Sequence, residues 1–382
     1  MDLPESLMVM ILERLHTRDI ARIKLVCKEW KSLLESSYFR DVYKWGFTQS
    51  IGSCVSRFLD EVKAANKTSQ VGALTSTDGL ILLDMSTISE PDMYCVANPM
   101  LRQLINIPQP PPYSKTFWLP NGFQATALVT NKKQGDLLGY KVVRYDLSFF
   151  SYNLNLQMYS SDSGNWTCYA FRLERLIYSL ENNPLSSNPI NLNGYLHWLC
   201  RESQVLVAHS FYASTGVCRV IDLPERSARF FERPKKDYGE ALTISCGALM
   251  YMKTDSGRQP NQQLKIWRLK KYKSCSLKGS WKLLWDLTLG LCLATEPVAM
   301  HPFVKEIIYL VTRQTDYSER HAYLVSGNLH TKTVQLHEDW KQEHRDFGDY
   351  QSHLFNQFKL PQRINSIPCP SGCTIFTLPD QH

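Results

Sequence analysis

The sequence predicts a mainly β chain in which three short N-terminal helices precede a β-propeller of about six degenerate blades. Three observations predict it. Hydrophobic spacing is helical only over the first forty residues; short apolar runs bounded by Gly, Pro, Asn, Asp and Ser fill the rest; and two kinds of run recur at intervals in the low-to-middle fifties.

The first helix opens at Asp2, a candidate N-cap, with Pro4 in the first turn, where its missing N–H costs nothing. Leu7, Met8, Ile11, Leu12 and Leu15 then form one apolar stripe of about three turns. His16-Thr17-Arg18-Asp19 breaks the stripe with a capping residue and an acid, and Ile20, Ile23, Val26, Cys27 and Trp30 begin a second one. Leu33, Leu34, Tyr38 and Phe39 continue as a third short helix or turn. So few residues cannot bury this much apolar surface among themselves, so the helices pack either on the rest of the chain or on another protein.

Beyond Trp45 the texture is β. A glycine precedes an apolar run at Gly79-Leu80-Ile81-Leu82-Leu83, at Gly194 before Tyr195 to Leu199, and at Gly247 before Ala248 to Met252, while Lys305 to Val311 reads as a fourth copy without the glycine. A second kind of run follows a turn and ends in Ile-Pro or Leu-Pro, from Asn98-Pro99 to Pro108 and from Ser214 to Pro224. Ser163-Gly164-Asn165-Trp166 and Lys278-Gly279-Ser280-Trp281 also correspond. A repeat of this length suits four-stranded, kelch-like blades; a β-sandwich or two stacked barrels is the alternative, which periodicity over four copies disfavours. The predicted organisation is 1–44 for the helices, 45–70 for a linker and 71–382 for the propeller.

Composition narrows the function. With 43% hydrophobic and 21% charged residues over 382 positions, the chain can bury a large core. It has no apolar run of the ~18 residues a membrane span needs, and Asp2 and Glu5 stand where a secretory signal would be basic, so the expectation is cytoplasm or nucleus and no membrane. The 11 cysteines are scattered among apolar neighbours and read as reduced, packed residues, which makes the sequons at Asn66 and Asn165 chance matches. The net charge of +7 is uneven, with eight Lys/Arg and no acid between Arg258 and Lys282.

Leu3-Pro4, Leu7, Ile11-Leu12, Leu15, Asp19 and Val26-Cys27-Lys28-Glu29-Trp30, with Leu33 and Phe39 after it, closely resemble the F-box motif over about Leu3 to Phe39. His16 departs from it, standing where that family usually has proline. The resemblance implies docking on a Skp-type adaptor, and through it on a cullin, with Leu3, Pro4, Leu7, Ile11, Leu12, Leu15, Val26, Cys27, Trp30 and Leu33 as adaptor contacts or their support. Asn98-Pro99, Asn193-Gly194 with His197-Trp198, Asp222-Leu223-Pro224, Ile266-Trp267-Arg268-Leu269 and His301-Pro302 resemble the F-box-associated, kelch-like propeller of plant F-box proteins, from about Val71 to Trp340. Together they imply the substrate-recognition subunit of a Skp-cullin-F-box ubiquitin ligase, a non-catalytic role. The alternatives are a propeller interaction protein acting outside a ligase and an RNA-binding propeller.

Enzyme chemistry finds no footing. Cys369-x-x-x-Cys373 has no second ligand pair at zinc spacing and reads as packed thiols around a turn, and His197 and His301 sit in repeat contexts as packing residues. Gly135-x-x-x-Gly139 is not followed by the Lys-Ser/Thr of a phosphate loop, so no metal or cofactor is expected. The basic, aromatic run Leu264 to Lys273 could serve single-stranded nucleic acid, but its alternation equally describes a strand entering a solvated loop, which disfavours a nucleic-acid partner. For an unknown protein substrate the candidate loops are Gln109 to Pro120, Asp255 to Gln263 and Arg313 to Arg320, with Tyr113, Phe117 and Trp118 as aromatic anchors.

Overall fold

The computed structural model describes residues 27–28, 30, 32, 55, 57–65, 71–85, 93–112, 125–146, 151–177, 189–192, 194–201, 203–212, 218–225, 239–255, 262–270, 281–289, 294–302, 304–315, 320–343 and 365–378. Apart from helical positions at 28, 30 and 32 and a helix over 57–65, this is β structure.

Each blade is an antiparallel meander. The first contains β1 (Gly72–Thr77), β2 (Leu80–Asp84), β3 (Tyr94–Asn98) and β4 (Gln103–Ile107); the second β5 (Ala125–Lys133), β6 (Asp136–Asp146), β7 (Ser151–Ser160) and β8 (Asn165–Ile177); the third β9 (Ile190–Leu192), β10 (Tyr195–Cys200), β11 (Val205–Ser210) and β12 (Cys218–Asp222). The fourth contains β13 (Glu240–Ser245), β14 (Ala248–Thr254), β15 (Gln262–Leu269) and β16 (Trp281–Leu289), and the fifth β17 (Ala294–Met300), β18 (Ile307–Thr315), β19 (Arg320–Asn328) and β20 (Thr333–Glu343). β21 (Phe376–Thr377) returns to pair with β4, making the first sheet five-stranded.

The described residues thus form five blades, where the repeat length suggested about six. The period itself was sound, since first strands begin at residues 72, 125, 190, 240 and 294. The count differs because the second blade and its connection to β9 are long, and because β21, near the end of the described residues, pairs at the edge of the first sheet.

The recurring glycines have a clear role. The two-residue loops Asp78-Gly79 and Cys246-Gly247 join the first and second strands of their blades with φ of 52°, 82°, 48° and 70°. Positive φ at both positions is the type I′ hairpin, whose twist matches the strands it connects and whose second residue is best as glycine. Gln134-Gly135 repeats the geometry in the second blade.

Alternation along the strands sends each sheet's two faces to different neighbours. Leu82, Val96 and Ile105 of the first blade pack with Leu128, Tyr140 and Val142 of the second. The second and third share a core around Tyr145 and Trp198, stacked at 5.4 Å, the third and fourth one around Leu206, Leu249 and Trp267, and the fourth and fifth one around Met252, Ile266 and Leu310. The first blade's remaining face, Ile81, Leu83, Cys95, Ala97 and Leu104, packs instead on Phe58 and Val62 of the 57–65 helix.

Polar staples link the blades. Trp166 Nε1 donates to the Pro108 carbonyl at 2.7 Å and Trp281 Nε1 to the Asp222 carbonyl at 2.8 Å, so the two corresponding Trp motifs each bind the strand end of the preceding blade. Gln262 is buried between the last two blades, its Nε2 donating to Thr295 O at 2.8 Å and its Oε1 accepting from Thr295 N at 3.1 Å. This reproduces a ladder pair with a side chain and satisfies buried backbone groups that would otherwise be costly.

Candidate functional site

The N-terminal surface is seen only in part. Cys27 and Trp30 are half-buried and Lys28 and Ser32 exposed, with helical backbone at 28, 30 and 32. Leu3, Pro4, Leu7, Ile11, Leu12, Leu15, Val26 and Leu33 lie outside the described residues.

Between this segment and the propeller in sequence lies the 57–65 helix, within the stretch read as linker. Val55, Phe58, Leu59 and Val62 fall at i, i+3, i+4 and i+7, one apolar stripe, and Phe58 and Val62 are buried on the first blade. Glu61 projects from the same turn onto Arg102, with Oε1 to one guanidinium nitrogen at 3.1 Å and Oε2 to the other at 2.8 Å. Arg102 also donates from Nε to Leu378 O at 3.5 Å, and its own carbonyl accepts from Leu378 N at 3.0 Å. One guanidinium therefore joins the helix, the first blade and the C-terminal segment. The signal for the helix was present in the apolar spacing at 55, 58, 59 and 62 but spans only two turns.

The C-terminal segment is a second tie. Ile367 is buried between the first two blades, Ser366 Oγ and Ile367 N donate to Gln103 Oε1 at 2.9 and 3.2 Å, and Asn98 Nδ2 donates to Asn365 O at 2.8 Å. Cys369 and Cys373 flank a turn, where Cys369 Sγ donates to Cys373 O at 3.2 Å and Cys373 Sγ lies 3.9 Å from Tyr159 Oη. Among the described residues no three His, Cys, Asp or Glu side chains group as a metal site, and no helix is long and apolar enough to cross a membrane.

The candidate substrate side is defined by its roots. Tyr113, Phe117 and Trp118 lie outside the described residues, but the segment leading to them is pinned. Gln157 Nε2 donates to Pro111 O at 2.8 Å, and Gln157 Oε1 accepts from Arg144 at 3.0 Å. Arg144 is only 1% exposed and lies over the Tyr94 ring at 5.5 Å. This buried relay fixes the start of the 109–120 stretch, as it leaves the first blade, against the second. In an antiparallel meander, connections between second and third strands and between successive blades leave from one end, and the tight hairpins from the other. The three candidate loops follow β4, β14 and β18, so all leave from the same end.

The histidines and the basic run are structural in this geometry. His197 is buried with Nδ1 3.3 Å from Ile190 O, and burial pulls its pKa down to about 4. His301 is buried in a turn where Nδ1 accepts from Val304 N at 3.1 Å. Residues 264–269 of the basic run lie in β15: Leu264, Ile266 and Trp267 point into the cores, and Lys265 pairs with Glu225 at 2.7 Å. Trp267 therefore offers no free ring for base stacking.

A family model described as "F-box protein At3g26010-like, beta-propeller" matches residues 25–369, and one described as "F-box domain" matches residues 1–41. F-box protein At3g26010 of Arabidopsis thaliana is 29% identical, covering 96% of this chain and 91% of its own length. F-box protein At1g49990 of the same plant is also 29% identical, covering 95% of this chain and 97% of its own, and F-box protein At3g28330 is 28% identical over 97% and 91%. Two further Arabidopsis relatives, at 28% and 27% identity, carry F-box/kelch-repeat in their names. The chain belongs to the family of F-box proteins with an At3g26010-like β-propeller.

Proposed function

We propose that this F-box protein is the substrate-recognition subunit of a Skp-cullin-F-box ubiquitin ligase, acting in the cytoplasm or nucleus. The observation that carries the reading is an F-box at residues 1–41 followed by a five-bladed propeller, with the 57–65 helix fastened to the first blade between them. The F-box supplies an apolar helical surface for a Skp-type adaptor, in which Leu3, Pro4, Leu7, Ile11, Leu12, Leu15, Val26, Cys27, Trp30 and Leu33 act as contacts or their support. A division at about residue 44, with the propeller domain from 71, suits this role.

The ligase role asks no bond-making group of this chain. Its task is to hold a target at a fixed place relative to the adaptor, and so raise the effective concentration of the target's lysines at the conjugating enzyme. An ion pair and an apolar stripe on the 57–65 helix support such fixity. The target side is proposed at the end from which the 109–120, 255–263 and 313–320 stretches leave, with Tyr113, Phe117 and Trp118 as anchors.

The test is co-purification of the full chain with a Skp-type adaptor and a cullin. Replacing Leu3 and Pro4 together by alanine abolishes that association while the melting temperature holds, on this reading. Undiminished adaptor binding by the double variant sinks it. Replacing Tyr113, Phe117 and Trp118 by alanine removes target ubiquitination with adaptor binding intact; a lowered melting temperature assigns them to the core instead.

A further inference from the structure

The turn between third and fourth strands is built alike in the first and fifth blades. Asn98 Oδ1 accepts from the N–H groups of Met100 and Leu101 at 3.0 and 3.2 Å, and Asn328 Oδ1 from those of His330 and Thr331 at 2.9 and 3.1 Å. Four residues after each asparagine, Arg102 and Lys332 take φ of 55° and 57°. Strand register extends the equivalence: Ile81, Ala97 and Leu104 stand in one cross-strand row, as do Ile308, Gly327 and Val334.

The two rows meet different surroundings. In the first blade the row is covered by Phe58 and Val62, Glu61 sits on Arg102, and Leu104 is 5% exposed. In the fifth blade Val334 is 51% exposed, Leu336 two residues on is 48% exposed, and Lys332 is exposed without an ion pair among the described residues. Beside them a cavity of about 360 Å³ opens between the fourth and fifth blades. Leu264, Leu287, Leu289, Ile308 and Leu310 line it, and a Cβ on Gly327 would meet nothing within 4 Å. Its size falls within the roughly 300–1,000 Å³ of ligand pockets. Its lining is mostly apolar, with Thr288, Asn328 and Thr333 at its polar positions and Lys332 the single charged group among the described residues.

We infer that this groove is a docking site for an amphipathic helical segment of a partner protein, one that carries an acid between apolar residues as Phe58-x-x-Glu61-Val62 does in this chain. The apolar pair enters the cavity over Gly327, and the carboxylate meets Lys332 as Glu61 meets Arg102. Burying the apolar side chains drives association, while a single rim lysine over an uncharged floor selects an acidic segment over a basic one. The inference concerns a surface of the propeller and does not depend on the ligase reading.

The probe is a fluorescently labelled peptide with the sequence of residues 55–65, titrated with the full chain and read by anisotropy. The expected result is saturable binding below about 1 mM, weakened at least tenfold by Gly327→Leu, which fills the groove, and by Lys332→Glu. A peptide carrying Glu61→Lys should recover binding to the Lys332→Glu chain. Both positions are open to solvent or to empty space, and unchanged thermal melts verify that the variants fold. The inference is overturned by absence of saturation, by binding unchanged in both variants, or by binding lost in Arg102→Glu but kept in Lys332→Glu, which would mean the peptide displaces the chain's own helix. Sedimentation showing a dimer that Gly327→Leu dissolves would make a second copy the occupant, and would equally overturn it.

Discussion

The first and fifth blades differ less in their strands than in what the chain does with their outer rows. Both have the asparagine-capped turn and the basic residue at positive φ, but the first is closed by a helix from one side and by β21 at its edge, whereas in the fifth Ile308 is buried against the fourth blade and the outer end of the row, at Val334, stands open beside a cavity. A repeated unit exposes the same surface each time it is copied, and the segments flanking the repeats decide which copies become core and which remain available.

The sharpest way to break this comparison is to remove the cover. Ending the chain at Ile364 deletes β21 together with the buried Ile367 and Leu378, and should cost more than about 4 kcal/mol in urea denaturation. A smaller loss would mean that the C-terminal segment decorates the first blade without closing it. Phe58→Ala should cost about 3–5 kcal/mol by leaving a void on the first blade.

Acid provides a control remote from both ends of the chain. The folded-state pKa of His197, about 4, lies below its ordinary value of 6.5, so the stability it contributes is complete above pH 6.5 and is lost as pH falls toward 4, by roughly 3 kcal/mol at most. His197→Gln should flatten that acid limb equally in the native and Phe58→Ala backgrounds. If the flattening differs between them, the third blade feels the helix and the two regions are not independent.

Arg102→Ala strands the mostly buried Glu61 and should cost about 2–3 kcal/mol, with partial solvent access keeping it below the range for fully buried pairs. At the equivalent fifth-blade positions, Lys332→Ala and Val334→Ala should each stay within about 0.5 kcal/mol. A large loss from Val334→Ala would mean that the row is already covered and the comparison fails.

Much of this could be read from residue order alone. Gly79, Gly194 and Gly247 marked the first hairpin of three blades because a two-residue turn with positive φ leaves a local trace, and Asn165-Trp166 and Ser280-Trp281 marked outer strands because each Trp has the same carbonyl to find. Gly135 does not read as a blade marker because Asp136 follows it where the other copies are apolar, and its hairpin is bulged at Asn131/Lys132. The F-box was legible as a motif with its own spacing, and residues 1–41 match that domain. What could not be read depends on distance along the chain. Arg102 finds Leu378 across 276 residues, and the return of β21 to β4 cost the expected sixth blade. The groove was invisible for another reason, being made by a side chain that Gly327 lacks.

The tight hairpins carry a consequence for how such a protein can vary in length. Loops 78–79, 134–135 and 246–247 hold two residues each, and one more would slip the following strand by one register and turn its apolar row to the wrong neighbour. At the opposite end, connections such as 108–124 and 255–261 join strands whose register is set elsewhere, and there each doubling of length costs only about 0.6 kcal/mol. Insertions and deletions are therefore kept out of these three hairpins, and the connections at the opposite end can acquire new shapes while the hairpins hold their length.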